Sequence, residues 1–449
     1  MQLSHMLSSM SVAFDDPNLV SSAGLVPVLA LADRCGLHEL AAAGLSVRSP
    51  NPGVKVAAVV AGMVAGADSI DDLDRLRPGG MGRLFGGIWA PSTSGTFLRA
   101  FTFGHVKQLD TVAATLLVNL AGHTPLLGDV DRLCWVDVDD TVKQTYGYAK
   151  QGAGYGYTGI KGLNALIGVL STPTSAPVIA ATRLRKGSTS SPRGAASFVA
   201  ATLKVARRCG ASRLVVARMD SAFYVADVVA AIGRAGAKFS ITARLNRSVR
   251  AAIAGIDEQG WTPIHYPNAI FDEQVGGWIS HAEVAETSYT AFTSRGSARQ
   301  VTARLIVRRV KLLPPAGKAQ PALVEGHRHH AVFTDTTLTM LPAESSHRGH
   351  AIVEHVMADL KTGPLAHLPS GSFAANAAWL TLAAIAHNLT RAAGCLASTF
   401  HATARPATIG DQLINVPVRI ASSARRVTLH LPTDWRWEHP WRALIAAVS

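Results

Sequence analysis

Residues 347–361, HRGHAIVEHVMADLK, bring together the side chains best suited to chemistry in this chain. Ala351, Ile352, Val356 and Leu360 recur at roughly helical spacing, which predicts a helix with one apolar face. Glu354 and Lys361 stand seven positions apart, two turns, and so share one side of that helix. A carboxylate and an ammonium aimed at one point suit a phosphate held through a metal ion. Two other acidic stretches qualify as partners: Asp137, Asp139 and Asp140 in the run 137–141, and Asp220 in Arg218-Met219-Asp220-Ser221.

The elements around those aspartates have a readable order. Residues 133–138 read as a strand ending in Asp139-Asp140-Thr141, and 160–170 and 177–184 as two more. A polar loop leads into a helix over 195–208, stopped by Gly210; a fully apolar strand follows at 214–217, then a helix over 224–234 and a strand at 239–243. The order β-β-β-α-β-α-β predicts a mixed sheet with helices on its faces. Strand alternation sets Asp137 and Asp139 on one face and Asp140 on the other, so the three compete for one role. The stretch 146–157, rich in Gly, Tyr and Lys, reads as a turn or wide hairpin. Although glycine-rich, the region 152–162 lacks the Gly-Lys-Ser/Thr ending of a nucleotide loop.

On either side the texture differs. Residues 1–125 read as helical, with apolar periodicity over 26–43, 55–65 and 69–76 and a capped start at Pro91-Ser92-Thr93-Ser94. Residues 245–335 read as β-rich, with strands at 284–292, 298–310, 330–334 and 337–340. The block is read as an insertion between the last sheet strand and the Glu354 helix, with an extension of the sheet as the alternative. A further helix covers 374–393, and the tail carries a strand at 424–431 followed by Trp435, Trp437 and Trp441.

Composition narrows the class. A chain of 449 residues exceeds one ordinary core and predicts two or three domains. The formal charge of +13 points to a polyanionic partner, nucleic acid before membrane. Cys35, Cys134, Cys209 and Cys395 are dispersed, which argues for a reducing compartment and against a cysteine-based zinc site. No basic-then-apolar leader opens the chain, and the most apolar stretch contains Asn376, His387 and Asn388, so a buried helix is expected there rather than a membrane span. The expected location is the cytoplasm, with the nucleoid as the place of work.

Taken in order, Asp139-x-Thr141, Arg218-Met219-Asp220-Ser221-Ala222-Phe223 and Glu354-x6-Lys361 resemble the motifs of the DDE transposases of bacterial insertion sequences. The closest resemblance is to the group with a β insertion before the glutamate helix and a Tyr-x2-Arg-x3-Glu-x6-Lys signature. It spans about residues 130–395. It implies an α/β fold: a ribonuclease H-like mixed sheet with helices on both faces at 126–244 and 336–400, a β-rich insertion at 245–335, an all-α DNA-binding domain at 1–125 and a C-terminal segment at 401–449. In that fold the first and fourth strands are neighbours, which would bring Asp139 and Asp220 together. The Asp-x-Thr match favours Asp139 over Asp137 and Asp140.

The resemblance further implies that Asp139, Asp220 and Glu354 bind two Mg²⁺ or Mn²⁺ ions and that Lys361 holds a phosphate near the cut. The implied reaction is phosphodiester hydrolysis at the element ends, then attack of the freed 3′-hydroxyl on target DNA. Double-stranded terminal repeats, target DNA and a second subunit are the implied partners. A nuclease of the same fold without strand transfer, and a non-catalytic DNA-binding protein, are the alternatives. In one respect the chain departs from the signature: its Tyr and Arg fall on His347 and His350. Both histidines, with Arg348 supplying the guanidinium, are expected to contact DNA phosphate. Arg304, Arg308 and Arg309 are expected to do the same from the basic strand, with a solvated strand face as the alternative; for Trp261 and Trp278 the resemblance suggests contact with an extruded base, and an ordinary core or surface place is as well supported.

Overall fold

Alternation of buried Cys134, Val136 and Val138 with aspartates makes β1 (Leu133–Gln144) the strand on which the acidic residues are arrayed. The structure is a computed structural model that describes residues 1–449 except 147–148, 273–276, 312–325 and 424–425, with the backbone alone described over 266–272 and 277–280. β1 pairs antiparallel with β2 (Lys161–Thr172), which pairs antiparallel with β3 (Ser175–Lys186). On its other side β1 runs parallel to β4 (Leu214–Met219), which runs parallel to β5 (Lys238–Thr242).

The β-rich block continues this sheet. β6 (Thr262–Asp272), β7 (Gly277–Ala291), β8 (Val301–Lys311) and β9 (His327–Thr334) form an antiparallel run. β9 joins the acid-bearing strands through Val332↔Thr242 and Thr334↔Ser240 on β5. The outcome is one ten-stranded mixed sheet, in which the short strand Gly154–Tyr155 flanks β2. Within residues 245–335 the described strands β6–β9 thus continue the sheet beyond β5.

Helices cover both faces of the part built from β1 to β5. β2 is buried at every position after its first, as a strand sandwiched between layers must be. On one face lies α2 (Ala195–Arg208), whose apolar stripe of Phe198, Val199 and Leu203 is buried. Gly168 permits its approach, because a Cβ there would stand 2.7 Å from Thr202 Oγ1. α1 (Phe103–His123) precedes the sheet, and α3 (Ala226–Arg234) links β4 to β5. α4 (Met340–Arg348), a 3-10 turn at Gly349–Ala351 and α5 (Ile352–Lys361) follow β9.

The long α6 (Phe373–Ala397) is buried almost all round. Two of its buried polar residues bond backbone groups: Asn388 bonds the N–H and C=O of Ile179 on β3 at 2.8 and 2.7 Å, and Arg391 donates from its two Nη atoms to the carbonyls of Ala402 and Ala404. Among the described residues no helix is long and apolar enough to cross a membrane. α6 packs on β3, on α1 and on the helix Pro52–Val64, so one apolar core runs from the first helices to Leu444. The elements described within residues 1–125 are helices apart from Leu19–Val20, which pairs with Val418–Ser423 in a three-stranded sheet completed by Arg426–His430.

Several expected boundaries move. β1 continues through Asp139-Asp140-Thr141 to Gln144 instead of stopping at 138. The helix expected over 26–43 breaks at Gly36, whose φ of 80° is left-handed. The strand expected at 337–340 is the approach to α4, where Leu338 and Met340 pack under Ala343, Val284 and Ile306. The helix expected from 347 begins only at Ile352, because the chain tightens into the 3-10 turn at Gly349. Residues 424–425 of the last expected strand lie outside the described residues.

The Asn388 clamp yields a stability test. Asn388→Leu keeps the volume but strips the partners from two buried backbone groups, each worth about 1–3 kcal/mol when left unpaired. Urea unfolding should show a loss of several kcal/mol; a loss below about 1 kcal/mol would mean that the edge of β3 does not depend on this side chain.

Candidate functional site

Parallel pairing of β1 with β4 runs from Leu133↔Leu214 to Asp137↔Arg218. At its last rung a fully buried ion pair closes the ladder: Arg218 Nε and Nη2 each donate to one oxygen of Asp137 at 2.7 Å. The guanidinium also lies 4.7 Å over the Trp135 ring and donates from Nη1 to the Ser346 carbonyl at 2.5 Å, at the end of α4. Gly349 makes room for it, since a Cβ there would come within 2.8 Å of Nη1. His350 Nδ1 sits 3.1 Å from Asp137 Oδ1, so Asp137 ties the 3-10 turn before α5 to the sheet.

On the opposite face Asp140 is likewise matched. Arg185 Nη2 reaches Asp140 Oδ2 at 2.7 Å, and Asn164 joins them with its amide to Asp140 and its carbonyl accepting from Arg185 Nε. Arg185 Nη1 also holds the carbonyls of Ser190, Ser191 and Arg193, which fixes the polar loop before α2. Both buried charges are thus paired and hydrogen-bonded, the condition for keeping a carboxylate in a core.

Asp139 and Asp220, two residues beyond the Asp137↔Arg218 rung on their strands, have no such partner. Neither forms an ion pair with a lysine or arginine among the described residues. Asp139 accepts only the N–H of Asp140 at 2.7 Å, and Asp220 that of Ala222 at 3.0 Å. Burial, reinforced by the Asp220 charge and opposed by the Asp140 N–H and by His350, pushes the Asp139 carboxyl up to about 7. Burial also raises Asp220, against the backbone N–H of Ala222 and against His350. Two half-buried carboxylates that repel each other make a place where a cation gains most.

Glu354 is exposed in the first turn of α5, the helix that packs over β1, and Lys361 is in its last turn. Lys361 stands near Lys143 at the end of β1: Lys143 is lowered by burial and, next, by the Lys361 charge. Among the described residues no three His, Cys, Asp or Glu side chains are gathered closely enough to hold a metal ion. Asp139 and Asp220 come together; Glu354 does not join them in this arrangement.

Other expected contacts sit differently. His347 is a core residue, its Nδ1 2.9 Å from Ser240 Oγ and its Nε2 2.9 Å from Thr242 Oγ1. Burial drops it to about 3, so it is neutral and enclosed, and the expectation of a phosphate contact is corrected. Arg348 holds Glu344 one turn earlier at 2.9 Å rather than reaching over the acidic pair. Each basic-strand arginine is matched to acid: Arg304 to Glu286, Arg308 to Glu344, and Arg309 to both Glu258 and Glu283. These three brace the sheet extension through ion pairs, in place of the solvated face that was the alternative to phosphate contact. Trp261 is buried under the Arg309 guanidinium at 4.2 Å, not open to a base, and the Trp278 side chain lies outside the described residues.

The family described as Transposase DDE domain group 1 matches residues 4–449, effectively the whole chain. The chain belongs to the DDE transposases. No curated protein matches it. What sequence reasoning missed in this DDE transposase is the pairing of Asp137, read there only as a rival for the metal role, with Arg218. Each stands two residues before an acid of interest, on strands expected side by side, so alternation placed them on the same face; that was the available signal. Arg185 and Asn164 carried no comparable signal, because their pairing with Asp140 depends on the β2–β3 register.

The raised Asp139 carboxyl has a thermodynamic consequence. Between about 4 and about 7 the folded transposase holds a proton that the unfolded chain releases, so stability falls as pH rises through that window and stays low above it. Asp139→Asn should therefore stabilise the metal-free protein at pH 8, by about 1.4 kcal/mol per pKa unit relieved, and change little at pH 4. Denaturant unfolding in EDTA at both pH values checks this; an equal effect at the two would contradict the burial assigned to Asp139.

Proposed function

We propose that this transposase cuts DNA at the ends of an insertion sequence and joins the freed 3′-hydroxyl to target DNA, with Asp139 and Asp220 as its central acids. The observation that carries the proposal is the division of charge at the strand ends: Asp137 and Asp140 are each neutralised by a buried arginine, and Asp139 and Asp220 are left without one. A ribonuclease H-like reading of the core is supported by the antiparallel β1–β2–β3 unit followed by parallel β4 and β5.

The donor set fits a hard divalent cation, Mg²⁺ or Mn²⁺, which prefers carboxylate oxygens. Asp139 and Asp220 would hold it, and Glu354 on the helix over β1 is the proposed third ligand. Such an ion, when bound, supplies Lewis acidity to the phosphate and a more acidic water or hydroxyl. The chain's own residues do the rest. Asp137, itself held by Arg218, fixes His350 beside the acid pair, where its ring can face a phosphate oxygen. Lys361, with Lys143 beside it, offers positive charge at the same end of β1. A helical N-terminal part and a basic overall charge suit duplex binding.

Cleavage of a plasmid carrying the coding region and its flanks tests the reading. Asp139→Asn, Asp220→Asn and Glu354→Gln should each abolish nicking while leaving DNA binding intact. Persistent cleavage by Asp220→Asn would refute the assignment of the acid pair. Cleavage by the wild type without joined products would favour the nuclease. By contrast Asp137→Ala should act through the fold, costing about 3–5 kcal/mol by stranding Arg218. Neutralising Arg304, Arg308 and Arg309 together should lower stability and leave the salt dependence of DNA binding nearly unchanged, although each free phosphate contact would contribute a log–log slope near −0.9. A marked flattening would return them to the DNA surface.

A further inference from the structure

The outermost hairpin of the sheet carries two imidazoles that take no part in the acidic site. β6 pairs with β7 alone, so it is the last strand on that side of the ten-stranded sheet. Along it His265 stands directly opposite His281 of β7. Strand alternation turns the neighbouring pair, Ile264 and Ala282, to the other face, where they pack with Val310 of β8. That contact fixes the register beneath the histidines and sets both rings on the solvent side. The register then shifts between His265 and Ile270, an irregularity of the kind that re-aims neighbouring side chains.

The geometry of the two rings is specific. Both residues are exposed, yet their ring centroids stand 4.6 Å apart and their Nδ1 atoms 3.4 Å apart. A hydrogen bond accounts poorly for that separation, since a good one spans about 2.7–3.2 Å. Neither ring makes another hydrogen bond or ion pair among the described residues. Two Zn–N bonds of about 2.0–2.1 Å at a tetrahedral angle set their nitrogens about 3.3–3.4 Å apart. The right angles of a square or octahedral ion would need about 2.9 Å at the same bond length. One rung along, on the same face, Glu283 already accepts from Arg309 Nε at 2.7 Å. The two imidazoles are therefore the available donors on these rungs.

We propose that His265 and His281 form a two-histidine Zn²⁺ site that clips the edge strand β6 to β7. Each neutral ring binds through Nδ1 and keeps its proton on Nε2, which the exposed setting leaves to water. Water completes the coordination, so the ion is exchangeable, unlike one in a closed four-ligand structural site. The site shares no residue with Asp139 and Asp220, whose oxygens suit Mg²⁺ or Mn²⁺. Ligand chemistry thus sorts two cations to two places, and the zinc site stands independently of DNA cleavage.

The full chain is titrated with Zn²⁺ in a large excess of Mg²⁺, which occupies the carboxylates, and bound zinc is read by competition with a chromophoric chelator. The wild type should hold one Zn²⁺ that His265→Ala and His281→Ala each weaken at least about tenfold, the least that loss of even an outer-shell partner commonly costs. His265→Gln and His281→Gln should do the same and keep a polar side chain where alanine disturbs the hairpin. His327→Ala, on β9, is the control and should bind as the wild type does. Zinc should also slow hydrogen exchange in β6 and β7 of the wild type and not in the His265 or His281 variants. Undiminished zinc binding by those variants overturns the site. So does a wild type that retains no zinc against Mg²⁺, which would assign the ion to carboxylates. Zinc binding without added protection of β6 overturns the clip.

Discussion

The buried pair of Asp137 and Arg218 is the fastening on which the rest of the site depends. It ends the parallel ladder between β1 and β4, so the next residues of both strands emerge side by side. The same guanidinium holds the end of α4, and the same carboxylate holds His350, so sheet, turn and helix are joined at one charge pair. A buried pair of this kind is weak as a net source of stability, because desolvation consumes much of the Coulomb gain. Its value lies in geometry: losing either partner leaves an uncompensated charge, so alternatives to this arrangement are costly.

Around that fastening the electrostatics are sorted by depth and face. Asp140 is served from the α2 side by Arg185 and Asn164, and Asp137 from the other by Arg218. Only the outermost acids, Asp139 and Asp220, keep charge without a cation from the chain, and both respond by holding protons more tightly. The neutral, enclosed His347 fits the same logic, since a charge there would lie beside Arg218 with no carboxylate to spare. A site designed only for stability would not leave two carboxylates in this condition.

How much of this was legible follows from what each residue depends on. The helix over 195–208 was readable to its ends because its apolar stripe is local and Gly210 stops it. The neighbourhood of Asp139 and Asp220 was readable from the order of elements, given the family's sheet. The length of β1 was not: Asp139-Asp140-Thr141 looks like a turn, and it stays extended because Arg185 and Asn164, from distant strands, neutralise Asp140. The break at Gly349 was hidden because the approach of Arg218, not local propensity, requires it. The basic strand misled for a related reason. Glu283 and Glu286 meet Arg309 and Arg304 only once the β7–β8 register is known, and sequence alone does not supply a register.

The continuation of the sheet through β9 bears on how such a protein can be reshaped. An insertion that formed its own body could be removed at its two joints and leave the rest closed. Here β9 is the cover of β5: its ladder with Ser240, Ile241 and Thr242 satisfies the outer edge of the last parallel strand. Cutting the block away would expose that edge, a row of unpaired N–H and C=O groups ready to recruit another chain. The block therefore helps to close the acid-bearing sheet at the edge of β5. A change in the outer hairpin of β6 and β7 leaves the β5 edge covered, whereas loss of β9 uncovers it.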